Sequence, residues 1–398
     1  MEKNIVTKNK KIHLALLICL VGFPQISETI YSPSLTEIAR SYHISLNLAQ
    51  MTLSIYFLAF ALGVFFWGIS SDYLGRRKAM NFGILFYVLG SLFCFYSTSA
   101  LSLFIGRFIQ AFGASTGSVT TQTILRDCYQ GNDRHRLFGK ISAALSFSPA
   151  IGPLVGGFIG EYSGFRAMFL FLVLMGLILL FWSVSSLRET KPNKVLSFST
   201  STILGVGKAM LVDRYTLSFG LQIGIFNGIL FSYHSEAPTI FIQKFHFSQS
   251  SYGFMGCIVA LATLLGAWIS SKALKTKSAN LIIKDGIKLA FSGALLLCVI
   301  VLLAVPLSIQ ILIYIVGTFI LLAGIGMALP NCLSLALTKF SKVVGTAGAL
   351  LSLGYYIIVS SCTFLISIFH TGSIAVFPLF SVFLLVLSFL CIRLENEH

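Results

Sequence analysis

Charge is scarce in this chain. Only 10% of its 398 residues are Asp, Glu, Lys or Arg, against about 25% in soluble domains. Acids are scarcer still, with 13 against 28 basic residues. No CxxC pair and no His/Cys/Asp/Glu cluster with metal-ligand spacing occurs, so no metal site is expected. The eight cysteines, mostly inside apolar runs, read as small hydrophobes. No glycine-rich nucleotide loop and no catalytic constellation is present, so an enzyme and a cofactor are not expected. What remains is a 56% apolar chain, and that composition places it in the lipid bilayer.

Twelve apolar runs can be placed, near 13–36, 46–69, 79–98, 101–125, 138–160, 165–187, 215–236, 252–272, 284–305, 308–331, 343–368 and 373–393. Each approaches the roughly 20 residues a helical span requires. The first is read as a retained helix rather than a signal peptide, because no clear small-x-small cleavage site follows it. With the N-terminus placed in the cytoplasm, Arg40, Arg166 and Lys244 are the basic residues on the far side, and Arg107 falls inside the membrane. The other basic residues face the cytoplasm, an asymmetry that sets both orientation and an even number of spans. The net charge of +15 then faces leaflet lipid, and nucleic acid is not needed to explain it.

The expected fold is an all-α membrane protein of twelve helices in two six-helix pseudo-repeats, both termini cytoplasmic. An N-terminal bundle covers 1–187, a polar cytoplasmic linker 188–214 and a C-terminal bundle 215–398. Short echoes support the duplication. Ile69-Ser70-Ser71 recurs as Ile269-Ser270-Ser271, and Tyr42-His43-Ile44-Ser45 as Phe245-His246-Phe247-Ser248. Gly106-x-Phe108-Ile109 with Gly113 recurs as Gly317-x-Phe319-Ile320 with Gly324. Their common offset of about 200 residues is that of a parallel repeat, which holds substrate near mid-membrane.

Arg107 sits about 9 Å into the fourth run. A guanidinium there costs at least a few kcal/mol unless it meets a partner, a wet cavity or the interface by snorkelling. Arg107, Ala111, Ala114, Ser118 and Thr121 share one small or polar helix face, with Gln110 and Gln122 at its flank. Glu28 reaches nearly the same depth in the first run, between Pro24 and Pro33. Burial and a nearby cation act on its proton affinity in opposite senses, which suits a residue that loads and unloads protons. A static ion pair that only fixes packing is the alternative.

Several motifs carry a resemblance. Gly68, Asp72, Gly75, Arg76 and Arg77 fit G-x-x-x-D-x-x-G-R-R, which resembles the loop after the second helix of the major facilitator superfamily. The resemblance implies a cytoplasmic gate, with Asp72 facing the N-terminus of the eleventh helix. The element from Arg107 to Ala111 resembles R-x-x-Q-G/A of the fourth helix of proton-coupled members, and makes Glu28 and Arg107 the expected proton-coupling pair. Gly152, Pro153, Gly156 and Gly157 resemble the G-P-x-x-G-G element of its proton antiporters, though a plain packing stripe is also possible. YSPSL at Tyr31–Leu35, YHSEAP at Tyr233–Pro238 and FHFSQSSYGF are similar in layout to the Bcr/CflA drug-resistance branch. That branch carries Asp where this chain has Thr29; here the acid is the neighbouring Glu28. His234 and Glu236 are expected as solvated residues of the outer mouth, with a second titrating pair as the alternative. Gln25, Tyr31, Tyr56, Gln110, Gln122, Asn227, Phe231, Asn331 and Tyr355 are the expected cavity residues.

These features together imply a monomeric, multi-pass transporter of the plasma membrane, here a bacterial inner membrane. It would exchange protons for small amphipathic or cationic organic compounds. A proton-coupled importer or a metabolite or siderophore carrier is the alternative on the same fold.

Overall fold

The computed structural model describes residues 13–129, 137, 141, 144–145, 147–191, 200–303 and 305–395. Among these the chain is helical, in the order α1 (Leu14–Thr29), α2 (Leu35–Ser41), α3 (Leu46–Leu74), α4 (Arg76–Phe95), α5 (Ala100–Cys128), α6 (Ser148–Ser186) and α7 (Thr200–Val212). There follow α8 (Arg214–Pro238), α9 (Gln249–Gly253), α10 (Met255–Ala273), α11 (Ala279–Leu302), α12 (Leu307–Leu335), α13 (Val344–Phe369) and α14 (Val376–Glu395). The fifth and sixth apolar runs meet as the two arms of α6, which bends at Gly164, where φ is 78°; such a φ suits glycine and few other residues. Part of the fifth run, with Arg134, Arg136 and Lys140, lies outside the described residues, as do residues 1–12 and Pro192. The expected polar linker contains the helix α7.

Eight helices are long and apolar enough to cross a membrane by length and composition. α5 and α8 match them in length but fall outside that set. Their polar content lowers their hydropathy, and they are the helices that carry Arg107 and Glu236. Val376–Ile392 is apolar but shorter.

Two clusters of buried apolar side chains form the core. One draws mainly on residues between Leu16 and Leu187, and also takes in Phe231 and Val359. The other runs from Met210 to Ile392. They meet along α3 against α13, and along α6 against α9 and α10. Two of the three echoed motifs have a structural counterpart. His43 and His246 have φ of 53° and 57°, a left-handed conformation uncommon outside glycine. Ser45 and Ser248, two residues on, accept the Leu48 and Ser251 backbone N–H groups and so cap the next helix. A Cβ at Gly113 would strike the main chain at Tyr87 and Gly83, and one at Gly324 the main chain at Ala290 and Gly286. The glycines thus bring α5 against α4 and α12 against α11 in the same way.

Candidate functional site

Arg107 is fully buried on α5. Its Nη1 donates to Gln110 Oε1 at 2.6 Å, and Gln110 Nε2 donates in turn to Ser91 Oγ at 2.8 Å. The guanidinium carbon lies 4.2 Å from the Tyr56 ring centroid and 4.7 Å from that of Tyr31. Two aromatic faces therefore do part of the solvating that water does elsewhere. Thr52 Oγ1 donates to the Tyr31 hydroxyl at 3.1 Å and helps to fix that ring. Nε and Nη2 of Arg107 have no partner among the described residues.

Glu28 is also buried, on the last turn of α1. The helix is not broken at Pro24; it passes after Thr29 into a short 3-10 turn holding Pro33. Among the described residues no nitrogen of Arg107 comes within 4.0 Å of the Glu28 carboxylate, and nothing hydrogen-bonds that carboxylate. The two charges are near enough to act on one another, and Glu28 also acts on Tyr56, Tyr355 and Tyr356. The direct pair expected from equal depth is therefore a looser arrangement, with Arg107 held by Gln110 and two tyrosines.

Tyr355 joins this cluster to a cavity of about 380 Å³. Val64, Ser118, Gln122 and Tyr355 line its walls, and Asp72, Arg76, Arg126 and Asp127 line it at the end of the bundle where the basic loops lie. Of the expected cavity residues, Gln122 and Tyr355 line it. Tyr31, Tyr56 and Gln110 surround Arg107 instead. Phe231 is buried with its ring 4.3 Å from that of Phe57. Asn331 donates to Ser270 Oγ and Met327 O and so ties α12 to α10, while Asn227 donates to Ile223 O within its own helix. Gln25 is half-buried, and its carbonyl accepts from Thr29 Oγ1.

At the basic end, Arg76 Nη1 lies 2.6 Å from Asp72 and its Nε 2.9 Å from Asp127. Glu189 accepts the backbone N–H groups of Arg76 and Arg77 at 2.8 and 3.3 Å. A carboxylate at a helix N-terminus is favourably placed for both. Gly75 has φ 91°, the turn that allows α4 to start there. Arg77 Nη2 donates to Val184 O, and Gly68 packs near Val119 and Ala349. Asp72 was expected to face the N-terminus of α13. Instead it is tied within its own half, and Val344 and Gly345 of α13 line the same cavity. With the cavity between Asp72 and α13, Arg76 is the nearer cation.

The other end is closed. Ser32 Oγ donates to His234 O at 2.5 Å, Asn47 Nδ2 to Ser367 O and His370 O, and Ser34 Oγ to Gln249 Oε1. Glu161 accepts the Ser250 N–H at 2.7 Å. A Cβ at Gly152 or Gly156 would strike Thr29 or Ile30 of the first half, and one at Gly157 would strike Gln249 of the second. Pro153 presents its carbonyl to Gly253. The small stripe on α6 thus packs α1 and α9 closely at this closed end.

His234 and Glu236 are not solvated. They are 2% and 0% exposed; Gln50 of α3 and His370 after α13 cover Glu236, and Ser32 of the first half lies against the His234 carbonyl. Glu236 pairs with His370, which sequence reading did not single out, and not with His234. Asp127, Glu189, Gln50 and Tyr356 were also missed. A lone glutamine at the start of an apolar run was the one signal that pointed to Gln50.

The comparisons with known proteins agree with this layout. The family model described as Major Facilitator Superfamily matches residues 17–363. An uncharacterized transporter of Rickettsia bellii is 33% identical over 385 residues, covering 95% of both chains. A chloramphenicol resistance protein of Pseudomonas aeruginosa is 28% identical over 345 residues, covering 85% of this chain and 80% of its own. Among solved structures, a D-xylose-proton symporter superposes with a TM-score of 0.73 at 14% identity, covering 94% of this chain and 96% of its own, a likeness of fold. The chain is a multi-pass membrane transporter, not an enzyme, and belongs to the Major Facilitator Superfamily.

Proposed function

We propose that this protein is a proton-coupled exporter of small amphipathic or cationic organic compounds, working by alternating access and similar to the Bcr/CflA branch. In this reading all twelve helices span the plasma membrane of a bacterium, with the basic end and both termini cytoplasmic. The bundles are 1–187 and 215–398, joined by the linker 188–214, and the protein acts as a monomer. The structure then corresponds to a state open to the cytoplasm and closed to the outside.

The observation that carries the reading is Glu28, a buried carboxylate without a hydrogen-bond partner among the described residues, beside the buried Arg107. Buried carboxylates are ordinarily paired or hydrogen-bonded. One left bare beside a cation, and near the Tyr355 that lines the cavity, is suited to exchanging a proton when access changes. The resistance protein among its relatives and the Gly152-Pro153-x-x-Gly156-Gly157 element favour export.

The test is transport by reconstituted vesicles under an imposed pH gradient, with lipophilic cations, neutral antibiotics and metabolites as candidate substrates. Substrate-driven proton movement is expected for the first two classes and is expected to vanish in Glu28→Gln, which inserts normally. If the Gln variant still concentrates substrate against its gradient, Glu28 is not the coupling residue. Metabolite uptake with proton influx would instead make the protein an importer.

A further inference from the structure

The closed outer end holds a second buried acid that the transport site does not use. Glu236 Oε1 accepts Gln50 Nε2 at 3.0 Å and faces His370 Nδ1 at 2.8 Å. Gln50 Nε2 also donates to Ser235 O at 3.0 Å and lies 3.2 Å from His370 Nδ1. An amide nitrogen has two hydrogens. Both are taken by Ser235 O and Glu236, so with the carboxylate ionised the contact to His370 is made by an Nδ1–H that donates to it. Gln50 is on α3 of the first half; Glu236 and His370 belong to the second. The carboxylate thus accepts one bond from each half and ties them together.

Its other oxygen, Oε2, is buried and has no partner among the described residues. Nor have Ser232 Oγ, Ser235 Oγ and Thr239 Oγ1 on the same end of the α8–Thr239 segment, or Tyr314 OH and Thr318 Oγ1 on α12. Parting of the halves at this end would open these groups to solvent. The bonds to the Glu236 carboxylate oppose it, and they are strong because they are charge-assisted.

We infer that Glu236 is a second proton-binding residue, and that with Gln50 and His370 it forms an outer latch that protonation releases. A proton adds at Oε2, where no bond has to be displaced, and the carboxylate becomes a neutral, weaker acceptor. The inference deepens the proton-coupled reading and rests on it for its role in transport. The groups facing Glu236 are His370 from the segment after α13, Tyr314 from α12 and the neutral Gln50 from α3. His234 is its neighbour on α8. Among the described residues no lysine, arginine or second acid forms an ion pair with it. A phenol stays neutral across the physiological range, which leaves Glu236 and the two histidines as the groups that can respond.

Ser232 lies one helical turn inward of Glu236 on the same face, fully buried. In the full-length protein, Ser232→Cys provides a thiol that a membrane-impermeant reagent reaches from outside only when the latch opens. The quantity measured is the labelling rate with Glu236→Gln divided by the rate with Glu236, at the same pH, after subtracting the parent without the added cysteine. Taking the ratio cancels the reagent's own pH dependence. At alkaline pH the neutral Gln is expected to label about tenfold faster, since a charge-assisted bond is roughly twice as strong as a neutral one. As external pH falls the ratio is expected to approach one, while His234→Gln follows the parent throughout. Thr239→Cys repeats the measurement should the first thiol disturb packing. A ratio of one at every pH means no latch, and a constant high ratio means a structural pair that does not bind a proton; either overturns the inference. So does a pH response that His234→Gln removes and Glu236→Gln leaves intact. No substrate is required, so failure here is distinct from failure of Glu28→Gln to abolish transport.

Discussion

Arg107 illustrates how one residue's surroundings decide its chemistry. A guanidinium with two unpartnered nitrogens in an apolar bundle needs favourable contacts from somewhere. The faces of Tyr31 and Tyr56 supply them, together with Gln110. A desolvated cation–π contact contributes about 2 kcal/mol. The Tyr56 hydroxyl faces Ser27 but makes no hydrogen bond within 3.5 Å, so its ring matters more than its oxygen. Tyr56→Phe should therefore transport within about twofold of the parent, whereas Tyr56→Leu should lose about tenfold or more, the equivalent of roughly 1.4 kcal/mol. Rates of proton-driven uptake in vesicles, normalised to inserted protein, check both. Equal losses in the two variants would assign the effect to the hydroxyl. At this scale the sequence was partly legible. A charge in an apolar run announces its own burial, so Arg107 and Glu28 stood out. It does not announce its partner: Gln110 was visible three residues away, but the tyrosines meet Arg107 only through the packing of α1 and α3 against α5. Likewise nothing local links Glu236 to His370, 134 residues further on.

Among elements, helix contact is set by where the chain omits a side chain. α4 and α5 approach through Gly83, Gly90 and Gly113, and α11 and α12 through Gly286, Gly293 and Gly324. Because lipid tails are as apolar as leucine, such close backbone packing is a main source of helix association in membranes. Adding a Cβ at Gly113 would meet rigid main chain and not a movable side chain, so the helices would have to separate. Gly113→Val is expected to destabilise by about 1–3 kcal/mol, seen as a lower Tm in detergent and a smaller monodisperse fraction. Gly205, on α7, has nothing within 4 Å. Gly205→Ala is expected to be neutral or to stabilise by up to about 1 kcal/mol through helix propensity. The echoes between Gly106…Gly113 and Gly317…Gly324 are thus the trace of one packing solution used twice. The His43 and His246 echo was equally readable as a repeat. What it encodes, a left-handed turn leading into a serine cap, became visible only with backbone angles. Hydropathy alone does not pick out α5 and α8, since the polar residues that fit them for a functional face lower their score as spans.

For the whole molecule, the two ends are unlike. Hydrogen bonds between the halves gather at one end, and at the other a cavity of about 380 Å³ separates Asp72 from the start of α13. Asp72 is turned to Arg76 in this arrangement; both residues of the pair were legible in the motif, but not that Asp127 shares the same guanidinium. If the basic end faces the cytoplasm, the cavity must be reachable from there. Gln122 is exposed on its wall, away from the Arg107 cluster, so Gln122→Cys should preserve the fold. Inside-out vesicles should label this cysteine quickly with an impermeant thiol reagent, and right-side-out vesicles slowly, above the background of the native cysteines. A transported compound that occupies the cavity at ten times its Kd should slow the inside-out labelling about tenfold by mass action. Labelling from the outside alone would reverse the orientation drawn from the basic loops. Labelling from the inside without protection by a transported compound would move the substrate site out of this cavity, towards the apolar groove between α7, α8 and α13 that shares Leu350, Leu351 and Tyr355 with it.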